Sequence, residues 1–143
     1  MKLKLKDYPG VKIHKTALRL TKFLKTKLEP YNLAPEQNLI MMLLWEQEGI
    51  AQHELVEILD KDKTNITRMA SNLESKGFIK RETNMDGRRA VKLYLTEEGR
   101  ALGAKVIPIA EEFNSIVTKG ITNEEILQLE RILSKIDMNL QID

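Results

Sequence analysis

Apolar residues recur along this chain with two different periods, and the switch between them outlines the fold. Between Val11 and Leu28, the positions Ile13, Ala17, Leu20, Leu24 and Leu28 fall three or four residues apart with lysines between them. That period predicts an amphipathic helix. Pro30 ends it, because proline has no N–H and drives its predecessor out of the α region. A second helix is predicted from Pro35, a favoured first-turn residue, through LIMMLLWEQE to Gly49. Leu39, Ile40, Met42, Leu43, Leu44 and Trp45 cover most of its circumference, which predicts the central buried helix. A short third helix covers Gln52 to Leu59. After the tight junction Asp60-Lys61-Asp62 comes a fourth, from Lys63 to Lys76. Asp62 is placed to cap it by accepting first-turn N–H groups, and Gly77 stands where a left-handed residue closes a helix. Two short helices joined by a three-residue turn form a helix-turn-helix pattern.

The period then drops to two. FIKRET and AVKLYLT alternate as strands, with Ile79, Val91, Leu93 and Leu95 on the apolar side and Asn84 to Gly87 as the turn. Thr96 is the expected cap of a long helix to about Lys119, with Glu97 and Glu98 favourable in its first turn. Pro108 is expected to kink that helix. Thr122 and Glu125 form a capping box ahead of a last helix striped by Ile126, Leu129, Leu133 and Ile136. The order is four helices, two strands and two helices: a mainly α fold with a small β-hairpin, and no internal repeat.

Composition narrows the chemistry. The 143 residues suffice for one domain with a real core, and 31% of them are charged. The absence of cysteine removes disulfides, thiolate metal sites and thiol chemistry. No apolar run is long enough for a membrane span, and the basic N-terminus lacks the apolar stretch of a signal peptide, so a cytoplasmic location is expected. The net charge of +2 conceals a segregation. Residues 1–30 carry nine basic against two acidic side chains, and residues 31–60 none against six. Residues 61–96 carry nine against four, and 97–143 five against nine. Basic charge gathered in the arm and the middle segment is the footprint of a polyanion-binding protein.

The fourth helix sharpens this. Ile66, Met69, Ala70 and Leu73 share one arc and must face the core. The opposite arc holds Thr64, Arg68, Ser71 and Ser75, flanked by Asn65, Thr67 and Asn72. A merely solvated face would favour Glu and Lys, whereas these side chains are short, polar and able to bond base edges and phosphates in a major groove. Arg88 and Arg89, at the predicted hairpin tip, can cover no core. A tip that reaches a minor groove or the sugar-phosphate backbone accounts for them, since a narrow minor groove concentrates negative potential.

The stretch from Leu55 to Arg100 resembles the winged helix-turn-helix of the MarR family of bacterial transcription regulators. The resemblance is carried by NITRMASNLESKGFIKR, DGRRAVKLYLT and LTEEGR, and by PIAEEF around Pro108. It implies a fold that is mainly α with a small β-wing: a winged helix-turn-helix DNA-binding lobe at 35–95 plus a helical dimerisation lobe at 8–30 and 97–143, within a single domain. It implies double-stranded DNA and a second copy of the chain as partners, with Asn65, Thr67, Arg68 and Arg88 at the DNA, to which the outward face of the fourth helix and the hairpin tip add Lys63, Thr64, Ser71, Asn72 and Arg89. Asp86 resembles the acid that fixes the wing. Asp60 stands where many members have glycine, and Asp tolerates left-handed geometry, so the turn should survive. The Lys-rich arm has three open roles: disordered segment, DNA contact or cover for the partner subunit.

Many members bind small anionic aromatic effectors in a cleft beside the first helix. His14, Met41 and Trp45 are the candidates for such a pocket here, although a Met stripe at helical spacing is more commonly core. His14 and His53 are the only histidines, a poor basis for a metal site, so no metal or cofactor is expected. No catalytic spacing of Ser, His and Asp and no phosphate-cradling glycine loop is present, so enzymatic activity is not expected. The reading is a homodimeric repressor of a pseudo-palindromic operator, relieved by an effector if one exists. The alternative is a winged-helix protein-interaction module without sequence-specific DNA binding.

Overall fold

The computed structural model describes residues 4–84 and 90–141. Its helices are α1 (Pro9–Leu28), α2 (Pro35–Glu46), α3 (Gln52–Ile58), α4 (Lys63–Ser75), α5 (Glu97–Val117) and α6 (Asn123–Leu140). The strands are β1 (Ile50–Ala51), β2 (Ile79–Asn84) and β3 (Ala90–Leu95). The contacts divide the chain into a larger unit, Met1–Ile109, and a smaller one, Ala110–Asp143.

The larger unit is built round α2, as its apolar run predicts, but with a different phase. Ile40, Met41 and Leu44 are fully buried, while Leu39, expected inside, is 47% exposed. Met42, Leu43 and Trp45 are only half-buried. In an unbroken apolar run the sequence carries no phase, and packing chooses which third of the helix faces inward. Leu28, Leu55, Ile66, Leu73, Ile79, Leu93 and Val106 complete this core.

The hairpin strands pair antiparallel from Ile79 opposite Leu95 to Asn84 opposite Ala90. The sheet has a third, unanticipated member. β1 pairs antiparallel with β3, Ile50 opposite Leu93, giving the strand order β1-β3-β2. Two residues are too few to show a period. Leu93, on the central strand, is fully buried.

Helix ends behave as their caps predict. Asp62 Oδ1 accepts the N–H of Asn65 at 2.7 Å, and Asp60 adopts the left-handed φ of 51° that the turn before it requires. Gly77, at φ 84°, closes α4. Thr96 Oγ1 accepts the N–H of Gly99 at 3.0 Å while donating to the Gly77 carbonyl. α5 passes through Pro108 as one continuous helix, and the unit boundary falls directly after Ile109.

In the smaller unit, Thr122 Oγ1 accepts the N–H of Glu125, and Glu125 Oε1 accepts the N–H of Thr122, closing the predicted capping box. Those bonds hold the Glu125 carboxyl below its ordinary range. No residue of α6 is buried: Leu127, Leu129, Ile132 and Leu133 lie exposed, and Ile126 and Ile136 are half-covered.

Candidate nucleic-acid interface

α4 is two-faced in the sense its sequence predicts. Ile66, Met69, Ala70 and Leu73 are buried, Ile66, Ala70 and Leu73 completely. At roughly 1.5–3 kcal/mol for each large apolar side chain, that face fixes the rotation of the helix about its axis. Fixing the rotation fixes what the other face presents. Lys63, Thr64, Arg68 and Asn72 are exposed, and Asn65, Thr67 and Ser71 half-exposed. Every predicted groove-facing residue of the helix therefore reaches solvent.

Several of these groups are already engaged. Asn65 Nδ2 donates to Asp62 Oδ2 at 2.8 Å, and Arg68 Nη2 donates to Asn65 Oδ1 at 2.6 Å. Thr67 Oγ1 donates to the Lys63 carbonyl at 2.9 Å and accepts from Gln52 Nε2 at 3.4 Å, tying α4 to the first residue of α3. Between these two helices lies a hollow of about 320 Å³ lined by Gln52, His53, Val56, Glu57, Lys63 and Ile66. His53 is exposed at its edge, and Gln52 Oε1 is buried there without a hydrogen-bond partner.

The far end of α4 is pinned by pairs that sequence reading missed. Glu74 accepts from the Arg81 side chain at 2.9 Å and from the Arg81 N–H at 3.2 Å, joining the helix to β2. The Arg81 guanidinium holds the Glu74 carboxyl below the usual range. Lys76 Nζ donates to the Asn32 carbonyl and to Gln37 Oε1, both at 2.8 Å. Partial burial lowers its pKa. Such partners are separated by up to 44 residues in the chain, and no local pattern announces them.

The base of the hairpin is also held. Glu48, just before β1, accepts the N–H of Leu95 at 2.8 Å and bonds from Arg100 at 3.1 and 3.2 Å. The Leu95 N–H, then Arg100, keep the Glu48 carboxyl ionised to lower pH than usual. Strand β3 thus enters α5 from a fixed origin. The hairpin tip residues Asp86, Arg88 and Arg89 lie outside the described residues.

The effector candidates are dispersed. His14 is exposed on α1, and Met41 is fully buried in the core. Trp45 donates its indole N–H to the Gly99 carbonyl at 2.9 Å and lines a hollow with Glu48, Leu95, Arg100 and Ile107. Among the described residues no cluster of three or more His, Cys, Asp or Glu could hold a metal, and no helix is long and apolar enough to cross a membrane.

Comparison with known proteins finds relatives of this chain and fold. The model of the MarR family matches residues 33–91, the span from just before α2 into β3. The organic hydroperoxide resistance transcriptional regulator of Bacillus subtilis is 30% identical over 107 residues, 75% of this chain and 73% of that protein. A MarR family transcriptional regulator from Listeria monocytogenes, crystallised with a 26-mer DNA, superposes with a TM-score of 0.79 at 32% identity. That match covers 98% of this chain and 90% of the other. A cysteine-to-serine variant of MarR from E. coli, crystallised with operator DNA, gives 0.81 at 27% identity, covering 95% and 99%.

Proposed function

The chain belongs to the MarR family of transcriptional regulators, and on that premise we propose that it acts in the cytoplasm as a homodimeric repressor of a pseudo-palindromic operator. It is a DNA-binding regulator whose reading element is α4. One observation carries this: a helix whose four apolar residues are buried holds out a row of short polar groups and one arginine. A repressor role is the simplest consequence of a protein that occupies duplex DNA.

Fluorescence anisotropy against duplex DNA at several salt concentrations tests the reading. Affinity is expected to fall steeply with salt, because each neutralised phosphate releases condensed counterions. Arg88→Ala is expected to make the slope of log affinity against log salt shallower by about 0.9 for each phosphate no longer neutralised, and so by up to about 1.8 in a dimer. Binding absent at low salt, or insensitive to salt, refutes the function. Normal binding with an unaltered slope in Arg88→Ala removes the wing arginine from the interface and leaves α4.

A further inference from the structure

Three side chains at the start of α4 are linked by hydrogen bonds that run in one direction. Arg68 donates to Asn65, and Asn65 donates to Asp62 through both its backbone N–H and its side-chain amide. We propose that Asp62 and Asn65 are positioning residues for Arg68, which alone of the three reads a base. The inference rests on the DNA-binding function above and assigns a division of labour within it.

The chemistry of the donors and acceptors sets the direction. An ionised carboxylate only accepts. With Oδ1 of Asp62 occupied by the Asn65 N–H at 2.7 Å, Oδ2 remains for the Asn65 side chain at 2.8 Å. Only the NH2 end of that amide can bond to it, so the carbonyl end turns the other way, towards Arg68. Arg68 Nη2 meets it at 2.6 Å. A guanidinium has five N–H donors in a planar fork, so one bond to Asn65 leaves enough for a two-bond grip on guanine O6 and N7. Holding one edge of the fork in advance also reduces the side-chain freedom given up when DNA binds.

The same geometry argues against Asn65 as a reader. Recognition of adenine by asparagine uses the carbonyl and the NH2 group on one base edge together. Here the two ends face different residues of the protein, and turning both to a base would break both bonds.

Selection of duplexes from a randomised pool tests this, using the full chain as wild type, Asp62→Asn, Asn65→Ala, Arg68→Ala and the double variant Asp62→Asn with Arg68→Ala. Asparagine caps a helix about as well as aspartate, so Asp62→Asn should keep its thermal midpoint within about 3 °C. It can donate as well as accept, however, and so no longer dictates which way the Asn65 amide faces. Arg68→Ala is expected to lose preference at one base in each half-site. Asp62→Asn and Asn65→Ala should weaken preference at that same base, by roughly 5- to 10-fold, the discrimination of a two-bond grip partly undone. The double variant should lose no more than Arg68→Ala, as members of one chain are not additive. Binding of Asp62→Asn to unselected duplex should be equal to wild type or tighter, since a negative charge has gone. Loss of preference at a different base in Asn65→Ala makes Asn65 a reader and overturns the proposal. Full preference in Asp62→Asn, or in Arg68→Ala, overturns it as well. If the wild type itself enriches no sequence, the DNA-reading function fails and the inference falls with it.

Discussion

A methyl group added at Gly99 would collide with the carbonyl oxygen of Phe78, a backbone atom that cannot step aside. That oxygen also accepts the N–H of Thr96 at 3.1 Å, locking the start of α5 against the entry to β2. Gly99→Ala is therefore expected to destabilise the protein by about 1–3 kcal/mol, the cost of overpacking a fitted contact. Gly10, in α1, has nothing within 4 Å of the corresponding position. Gly10→Ala should instead stabilise by about 0.4–1 kcal/mol through the unfolded chain. Urea unfolding midpoints of the two variants should move in opposite directions, and a Gly99→Ala midpoint equal to wild type would show that helix and strand can separate freely. The glycine of LTEEGR was visible in the sequence as part of a motif. Its cause, a backbone carbonyl from before β2, was not.

Among elements, the join between α4 and β2 ties the proposed reading helix to the hairpin. It rests on Glu74 and Arg81, whose bond lowers the Glu74 pKa. A carboxylate with a lowered folded-state pKa contributes stability above its unfolded pKa, about 4.3 for Glu, and loses it as pH falls through the lower folded value. Glu74→Gln should thus cost roughly 0.2–1 kcal/mol near neutral pH, the small figure reflecting solvent screening of a side chain that is 40% exposed. The difference from wild type should shrink on acidification below about pH 4. Parallel urea titrations at neutral and acid pH would measure it, and a difference that grew in acid would contradict the ion pair as its source. Helix identity and helix ends were legible in the sequence because caps act within four residues. β1 and the Glu74–Arg81 pair were not, because nothing local marks them.

For the whole molecule, α6 poses the outstanding question of cover. An 18-residue helix with a regular apolar stripe and no buried residue leaves Leu127, Leu129, Ile132 and Leu133 in water. An exposed apolar stripe of this kind marks an interface, and the proposed dimer would set a second copy of the chain against it. Placing a charge in it, as Leu129→Glu with Ile132→Glu, is expected to convert a dimer to monomer in light scattering coupled to gel filtration. Far-ultraviolet circular dichroism should show that the helices persist. Operator binding should weaken greatly, because two reading helices about 10 bp apart on one DNA face must be held by one rigid pair. A variant that remained dimeric would move the interface elsewhere.

The sequence by itself determined the six helices, the two hairpin strands and their order, the caps at Asp62 and Thr122, the inward arc of α4 and the segregation of positive charge. Each of these depends on interactions within a few residues, or on a period that a single helix or strand imposes on its own side chains. Tertiary structure alone decided that Leu39 stays out of the core, that two residues at Ile50 join the sheet, that Lys76 reaches the loop at Asn32, and that Gly99 must have no side chain. Those depend on which surface packs against which, and an unbroken apolar run or a lone polar residue holds no record of its distant neighbour. Asn65 belongs to both. Its place on the outward arc could be read from the helical period, but its engagement between Asp62 and Arg68 required the side chains to be set in space.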